Sequence, residues 1–184
     1  MTILIDLRKF REPLAAEIQR SLIDFSVQHP NVEVCTVGIA GDGFHGLAAL
    51  FLDTPEHSAA HVEEYLKHGI GWYGEDENGR FCNSCPDFPY CIGEYCLPDY
   101  PDFYQSRGDI SIDYITLDGN EERVEIDEGD EGMNRLVFPF LKTIIASFQP
   151  FTLLLRAIPF RVGVQMHDSR YEEFWSVEVE KRSS

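Results

Sequence analysis

Four cysteines lie close together in the middle of the chain, and cysteine is a residue type that binds metals or exchanges disulfides. They are Cys82, Cys85, Cys91 and Cys96, with the spacing C-x2-C-x5-C-x4-C. Four thiolates suit tetrahedral zinc, and the first C-x2-C pair is a common half of such a site. The second pair is spaced irregularly for a zinc ribbon. Because four thiolates leave no open position, any zinc here is expected to be structural.

The same cysteines have two other interpretations. The Cys82–Cys85 pair could be a redox pair, although no helix start of the kind that lowers a thiol pKa follows Cys82. Some of the cysteines could also be small buried apolar residues, and Cys35, inside a predicted strand, is best explained that way. In a cytoplasmic protein all five thiols stay reduced. The sequence requires no cofactor, and structural zinc is the one it suggests.

Two histidines, His57 and His61, are four residues apart in a predicted helix and could share one face of it. The residues between them are Ser58-Ala59-Ala60, so the glutamate of the H-E-x-x-H metalloprotease motif is missing. An exposed polar helix face is the simpler interpretation. A small enzyme with an unrecognised site is the alternative, and it predicts a concave pocket beside these histidines that contains groups with perturbed pKa values.

The segment Gly41-Asp42-Gly43-Phe44-His45-Gly46 matches the dinucleotide-binding pattern G-x-G-x-x-G by letter. That fingerprint needs a helix directly after the turn. The residues that follow, 47–52, form a continuous apolar run that predicts a strand. The glycines are therefore expected to form a turn.

The charge of the chain is concentrated in its middle third. The 184 residues carry a formal net charge of −17, and residues 71–132 hold 17 acids and only 3 bases. Aromatic residues gather in the same third, and acids interleaved with aromatics are typical of a surface that binds a basic protein. A solvated acidic face is the plain alternative. The expected partner contacts are Trp72, Tyr73, Glu75, Asp76, Glu77, Asp87, Tyr90, Glu94, Tyr95, Asp99, Asp102 and Tyr104.

The acid excess also excludes classes of partner. A nucleic-acid binder needs lysine and arginine to displace counterions from phosphate, and anionic membrane surfaces repel acidic proteins. The N-terminal residues lack the features of a secretory signal, and the most apolar stretch, 136–164, is interrupted by charges and prolines. We therefore expect a cytoplasmic protein that binds neither nucleic acid nor membrane. The sequence does not predict its oligomeric state.

The elements that position these residues alternate between helices and hairpins. Helices are predicted over about 7–28, with regular geometry from Pro13, over 53–68 and over 136–148. Strands are predicted over 32–40 and 47–52, over 110–114 and 123–126 about the Asp118-Gly119 turn, and over 151–158, 160–166 and 174–179. Residues 71–107 are expected to form an ordered loop rich in cysteine and aromatics, whose part 98–105 could form one or two helical turns. The pattern predicts one α+β domain over 1–184, with a mainly antiparallel sheet of hairpins and about three helices packed on it.

Two stretches resemble a known group of proteins. They are LAALFLDTPEHSAAHVEEYL, residues 47–66, and WYGEDENGRFCNSCPDFPY with CLPDYPDFY, within residues 72–104. Together they resemble a family of uncharacterised bacterial α+β domains similar to the immunity proteins found beside polymorphic toxins. The resemblance carries no catalytic signature and implies a non-enzymatic, cytoplasmic bacterial protein. The leading hypothesis is an acidic protein that neutralises a basic partner such as a toxin. The alternatives are a structural-zinc domain and a small enzyme.

Overall fold

The described part of the chain folds into an α+β structure with three α-helices and two mixed sheets, which confirms the predicted class. The structure is a computed structural model that describes residues 2–68, 81–97, 100, 111–125, 129–147, 150–167 and 169–178. The helices are α1 (Arg8–Gln28), α2 (Pro55–His68) and α3 (Gly129–Ala146). The strands are β1 (Thr2–Asp6), β2 (Glu33–Asp42), β3 (Leu47–Asp53), β4 (Tyr90–Cys96), β5 (Ser111–Ile115), β6 (Glu121–Glu125), β7 (Leu155–Met166) and β8 (Glu172–Val177).

Helix α1 forms because its apolar residues recur every three or four positions. Leu14, Ile18, Leu22 and Phe25 are all buried, as the spacing predicts. The helix begins at Arg8, so Pro13 lies inside it and the expected start at Pro13 was wrong. Tertiary packing of the apolar face outweighs the local cost of the proline.

Helix α2 begins where the sequence predicts. Thr54 Oγ1 accepts a hydrogen bond from the His57 backbone N–H at 3.2 Å, so Thr54 caps the helix. Pro55 occupies the first helical position, where its missing N–H costs nothing. Helix α3 starts at Gly129, earlier than predicted, and contains Pro139.

The larger sheet has the strand order β4-β3-β2-β7-β8. Strands β2 and β3 form the predicted hairpin, with Ala40 opposite Ala49. Strand β7 is one continuous strand where two were predicted, and it lies parallel to β2. Strand β4 was not predicted, because cysteine, glycine and glutamate hide its alternation.

The smaller sheet has the order β1-β5-β6. Strands β5 and β6 form the predicted hairpin, and Gly119 in its turn has φ +86°, a conformation that favours glycine. Strand β1 pairs parallel with β5 and was not predicted. Four of the strand pairings described are antiparallel and two are parallel, so both sheets are mixed.

The main hydrophobic core of the described residues joins the two sheets with α1 and α3. It includes Leu22 of α1, Ile39 of β2, Tyr114 of β5 and Ile144 of α3, all almost fully buried. The tight packing at β2 is visible at Gly41, where an added Cβ would overlap the side chain of Leu141. Within the described ranges, no helix is long and apolar enough to cross a membrane. The predicted helical turns at 98–105 lie outside the described residues, apart from residue 100.

Replacing Gly38 on β2 tests how closely the opposite face of the large sheet is covered. A Cβ at this position would overlap Cys85 Sγ and approach the Phe88 ring at 3.2 Å. We expect Gly38→Ala to lower the free energy of unfolding by about 1–3 kcal/mol, measured by urea denaturation, because overpacking displaces its neighbours.

The control for this prediction is the double variant Gly38→Ala/Cys85→Ala. Removing the sulfur makes room for the new methyl group, so the double variant should be more stable than the sum of the two single changes implies. Strict additivity of the two changes would mean that Cys85 does not cover Gly38.

Candidate functional site

The large sheet has a second face, opposite the main core, and the chemically interesting residues lie there. Alternate residues of a strand share a face of the sheet, so Thr36, Gly38 and Ala40 of β2 face the same way. All three side chains are small. A buried cluster of Cys82, Cys85 and Phe88 packs over Gly38 and Ala40. Helix α2 also packs against β2.

Buried polar groups concentrate under this cover. Thr36, Asp53, Ser58, Ser84 and Arg161 are all buried. Asp53 on β3 and Arg161 on β7 lie opposite Thr36 of β2 in the strand register. The three residues therefore form a row across β3, β2 and β7. Ser58 Oγ accepts a hydrogen bond from the Cys82 backbone N–H at 2.8 Å, which ties α2 to the cysteine segment. This face is a polar region within an otherwise apolar interior.

Asp53 is the most constrained acid of this region, with no exposed surface. Its Oδ1 accepts hydrogen bonds from the Thr54 backbone N–H at 2.9 Å and from His57 Nδ1 at 2.7 Å. Burial raises the pKa of Asp53, although the hydrogen bonds from His57 and Ser58 oppose that shift. The pair resembles the buried acid and oriented imidazole of a general base.

The aromatic side chains of α2 form a column that starts from this acid. The rings of His57 and His61 stack with centroids 5.6 Å apart, and the ring of Tyr65 follows at 4.3 Å from His61. His61 Nε2 lies 3.7 Å from Asp87 Oδ2, in the 3-10 turn Cys85–Asp87. The histidines therefore contact other groups of the protein. The expectation that they lie on an exposed polar helix face was wrong.

Arg161 is the buried base of this face. Its guanidinium stacks on the rings of Phe81 at 4.7 Å and Phe174 at 5.2 Å and donates a hydrogen bond to Asn83 Oδ1. Two aromatic rings and an amide thus hold the charge where water is excluded. The sequence analysis did not single out Arg161, and an isolated arginine in an apolar strand, FRVGV, was the available signal.

The four central cysteines separate into two groups. Cys82 and Cys85 are buried beneath α2, whereas Cys91 and Cys96 are exposed on β4. Burial raises the pKa of Cys82 to about 12 and also raises the pKa of Cys85 well above its usual range, so these thiols are not poised as nucleophiles. Among the described residues, no three histidine, cysteine or acidic side chains are arranged to hold a metal ion. The four-cysteine zinc site stays a prediction.

An open cleft of about 1010 Å³ lies beside the cysteine cover, and acids dominate its charge. Ala40, Gln165 and Glu172 belong to its lining on the sheet, and Tyr65 and Asp87 to its lining on the cover. Gln165 connects the two sides: its Oε1 accepts from the Cys85 backbone N–H at 2.9 Å, and its Nε2 donates to Glu172 Oε2 at 3.4 Å. Burial raises the pKa of Glu172. We call this feature the acidic cleft.

The floor of the acidic cleft belongs to a row that crosses the whole sheet. The row runs Glu94, Ala49, Ala40, Gln165 and Glu172, one residue from each strand. With strands about 4.8 Å apart, its two glutamates are about 19 Å from each other. The short side chains of Ala49 and Ala40 make a shallow depression in the middle of the row, and a glutamate lies at each end.

Four of the predicted partner contacts lie within the described residues. Asp87 and Glu94 are exposed, Asp87 lining the acidic cleft and Glu94 ending the row. Tyr90 is half-buried against Phe25. Tyr95 is buried, and its hydroxyl donates to Ser21 Oγ at 2.7 Å, so it packs beneath α1. The remaining contacts, Trp72, Tyr73, Glu75, Asp76, Glu77, Asp99, Asp102 and Tyr104, lie outside the described residues.

Comparison with protein-family models, curated proteins and solved structures gave no match to the chain. The resemblance to immunity proteins therefore stays a prediction.

The raised pKa of Asp53 predicts a particular pH dependence of stability. When the pKa of Asp53 in the folded state lies above its pKa in the unfolded state, the folded chain binds more protons than the unfolded chain at any pH between the two values. The stability of the folded state therefore falls as pH rises through that range. Relative to Asp53→Asn, the natural chain should lose stability above about pH 4, with a slope of at most about 1.4 kcal/mol per pH unit. Urea denaturation across pH 4–8 measures the difference. If the stability of the natural chain relative to Asp53→Asn instead increased with pH, His57 would be stabilising the ionised form of Asp53.

The two groups of cysteines predict two rates of thiol labelling. Cys91 and Cys96 should react quickly with an aromatic disulfide reagent in the native protein, because their side chains are exposed. Cys35, Cys82 and Cys85 should react only on unfolding, since burial raises each pKa. Counting fast thiols with and without denaturant, and in Cys91→Ser as the control, measures this. Fast labelling of a third thiol in the folded chain would contradict the described packing.

Proposed function

We propose that the protein binds a basic protein partner through the acidic cleft and neutralises that partner, as an immunity protein does with a toxin. The observation that carries the proposal is the row from Glu94 to Glu172, with Asp87 above it. Its low alanine centre leaves room for a partner side chain, Asp87 and Glu172 line the cleft on one side of that centre, and Glu94 lies at the other end of the row. Such an arrangement suits lysine or arginine side chains of another protein.

The electrostatics of the whole chain support the same partner. A net charge of −17 accelerates encounter with a basic protein and repels nucleic acid. A toxin that acts on nucleic acid carries a basic site, and an acidic surface can occupy a site made for phosphate. The partner-binding role predicted for the acids and aromatics that lie outside the described residues remains part of this proposal.

Asp87 and Glu172 of the cleft, together with Glu94 at the far end of the row, provide the test. We expect the triple variant Asp87→Lys/Glu94→Lys/Glu172→Lys to bind a basic partner at least tenfold more weakly, with a flatter salt dependence, because three attractive charges become repulsive. The matched control is Glu12→Lys/Asp24→Lys/Glu33→Lys, which changes the net charge equally at exposed positions elsewhere. A hexa-arginine peptide serves as the first probe, in titration calorimetry over a series of salt concentrations.

The second probe is a basic protein captured from the native host at low salt, purified and tested for toxicity with and without this chain. Rescue by the natural chain and the control triple, but not by the cleft triple, would support neutralisation. Equal loss of binding in both triples would show that only net charge matters and would overturn the cleft as the binding surface. Circular dichroism confirms that each variant is folded.

A further inference from the structure

The carboxylates of the acidic cleft differ in whether the chain itself supplies them with a cation. Glu131 has one, because Arg170 Nε lies 2.8 Å from its Oε1, and Ser169 Oγ donates to its Oε2 at 2.8 Å. Glu172 has no charged partner among its described contacts, and the neutral amide of Gln165 lies 3.4 Å from its Oε2. Glu172 is therefore a carboxylate of the cleft that can take its cation from a partner protein.

Gln165 holds the two acidic sides of the cleft in place. Its Oε1 accepts from the Cys85 backbone N–H at 2.9 Å, and its Nε2 donates to Glu172. Cys85 begins the 3-10 turn that ends at Asp87, so the amide lies between this turn and Glu172. A cation in the cleft therefore meets carboxylate oxygens on two sides. The planar guanidinium group of arginine, with five N–H donors in a fork, suits this arrangement better than the compact ammonium group of lysine.

The walls of the acidic cleft favour the same side chain. Tyr65 is half-buried and lines the cleft from α2, and Pro86 lines it from the 3-10 turn. A guanidinium plane stacks on aromatic rings, and it is more weakly hydrated than an ammonium group, so it loses less on leaving water. This difference matters because burial raises the pKa of Glu172, which means that the carboxylate itself is partly removed from water.

An arginine of the chain itself shows this combination of groups at the cleft. The guanidinium of Arg170 pairs with Glu131 and lies over the ring of Tyr171, 5.6 Å from its centroid. A carboxylate and an aromatic ring thus hold one guanidinium together. Glu172 and Tyr65, which both line the cleft, offer a second set of the same two groups.

We propose that the acidic cleft recognises an arginine side chain of the basic partner, whose guanidinium pairs with Glu172 and Asp87 and stacks against Tyr65. This inference rests on the proposed function, because it names the side chain that the basic partner inserts. Gln165 is a positioning residue that fixes Glu172 relative to the 3-10 turn. A lysine side chain can pair with the same carboxylates, but it lacks the stacking and must lose a more tightly held hydration shell.

The test compares two peptides of equal charge, hexa-arginine and hexa-lysine, by titration calorimetry of the full chain at one salt concentration. We expect the natural chain to bind hexa-arginine about tenfold more tightly, which is the size of effect that a partly desolvated cation–π contact gives. Tyr65→Leu should reduce this preference to about twofold, mainly by weakening hexa-arginine binding, whereas Tyr65→Phe keeps a ring and should keep the preference. The matched control Glu12→Lys/Asp24→Lys/Glu33→Lys should keep it as well, since these exposed positions lie outside the lining of the cleft.

A second variant, Glu172→Gln, keeps the test valid if Tyr65→Leu does not fold, because Glu172 is exposed on the edge strand β8. It should weaken the binding of both peptides and lower the preference for arginine. Circular dichroism shows whether each variant is folded.

The outcomes separate this inference from the proposed function. Equal affinity for the two peptides, with both lost in the cleft triple, would overturn the recognition of arginine and leave the proposed function standing. A preference that persists in both Tyr65→Leu and Glu172→Gln would belong to the peptides and not to the cleft, and it would also overturn the inference. Failure of the natural chain to bind either peptide below about 1 mM would overturn the proposed function itself.

Discussion

The central strand β2 is buried on both faces, and this constraint determines what the rest of the chain must do. One face carries large apolar side chains such as Val37 and Ile39 into the main core. The other face carries only Thr36, Gly38 and Ala40, which expose the backbone of the sheet unless something covers them. An exposed central strand would leave apolar surface in water, so the chain must supply a second cover.

The second cover is assembled from α2 and the segment around Cys82 and Cys85. Because the strand residues beneath are small, Cys85 can lie directly over Gly38. The cover ends before Ala40 is fully enclosed, and the acidic cleft begins at that margin. The buried polar groups and the acidic cleft thus share one cause. Both lie where a helix and a polar segment, and not a second sheet, cover this face of the large sheet.

The sequence predicts the local parts of this arrangement and not the distant ones. Helix α1, the capped start of α2 and the two hairpins follow from spacing and turn residues within a few positions. The parallel pairings of β1 with β5 and of β2 with β7 join segments far apart in the chain, and no local pattern encodes them. The close spacing of the cysteines does not reveal that Cys82 and Cys85 are buried whereas Cys91 and Cys96 are exposed on β4, because no local pattern encodes the pairing of β4 with β3.

The same distinction applies to the site. Asp87 and Glu94 could be proposed from the density of acids, but Glu172 is nearly eighty residues farther along and joins them only through the register of five strands. Arg170 pairs with Glu131 at 2.8 Å on the rim, whereas the nearest partner described for Glu172 is the neutral Gln165. A cation brought into the cleft would therefore supply the charged partner that Glu172 lacks among its described contacts, and the burial that raises the pKa of this carboxyl would strengthen the pairing.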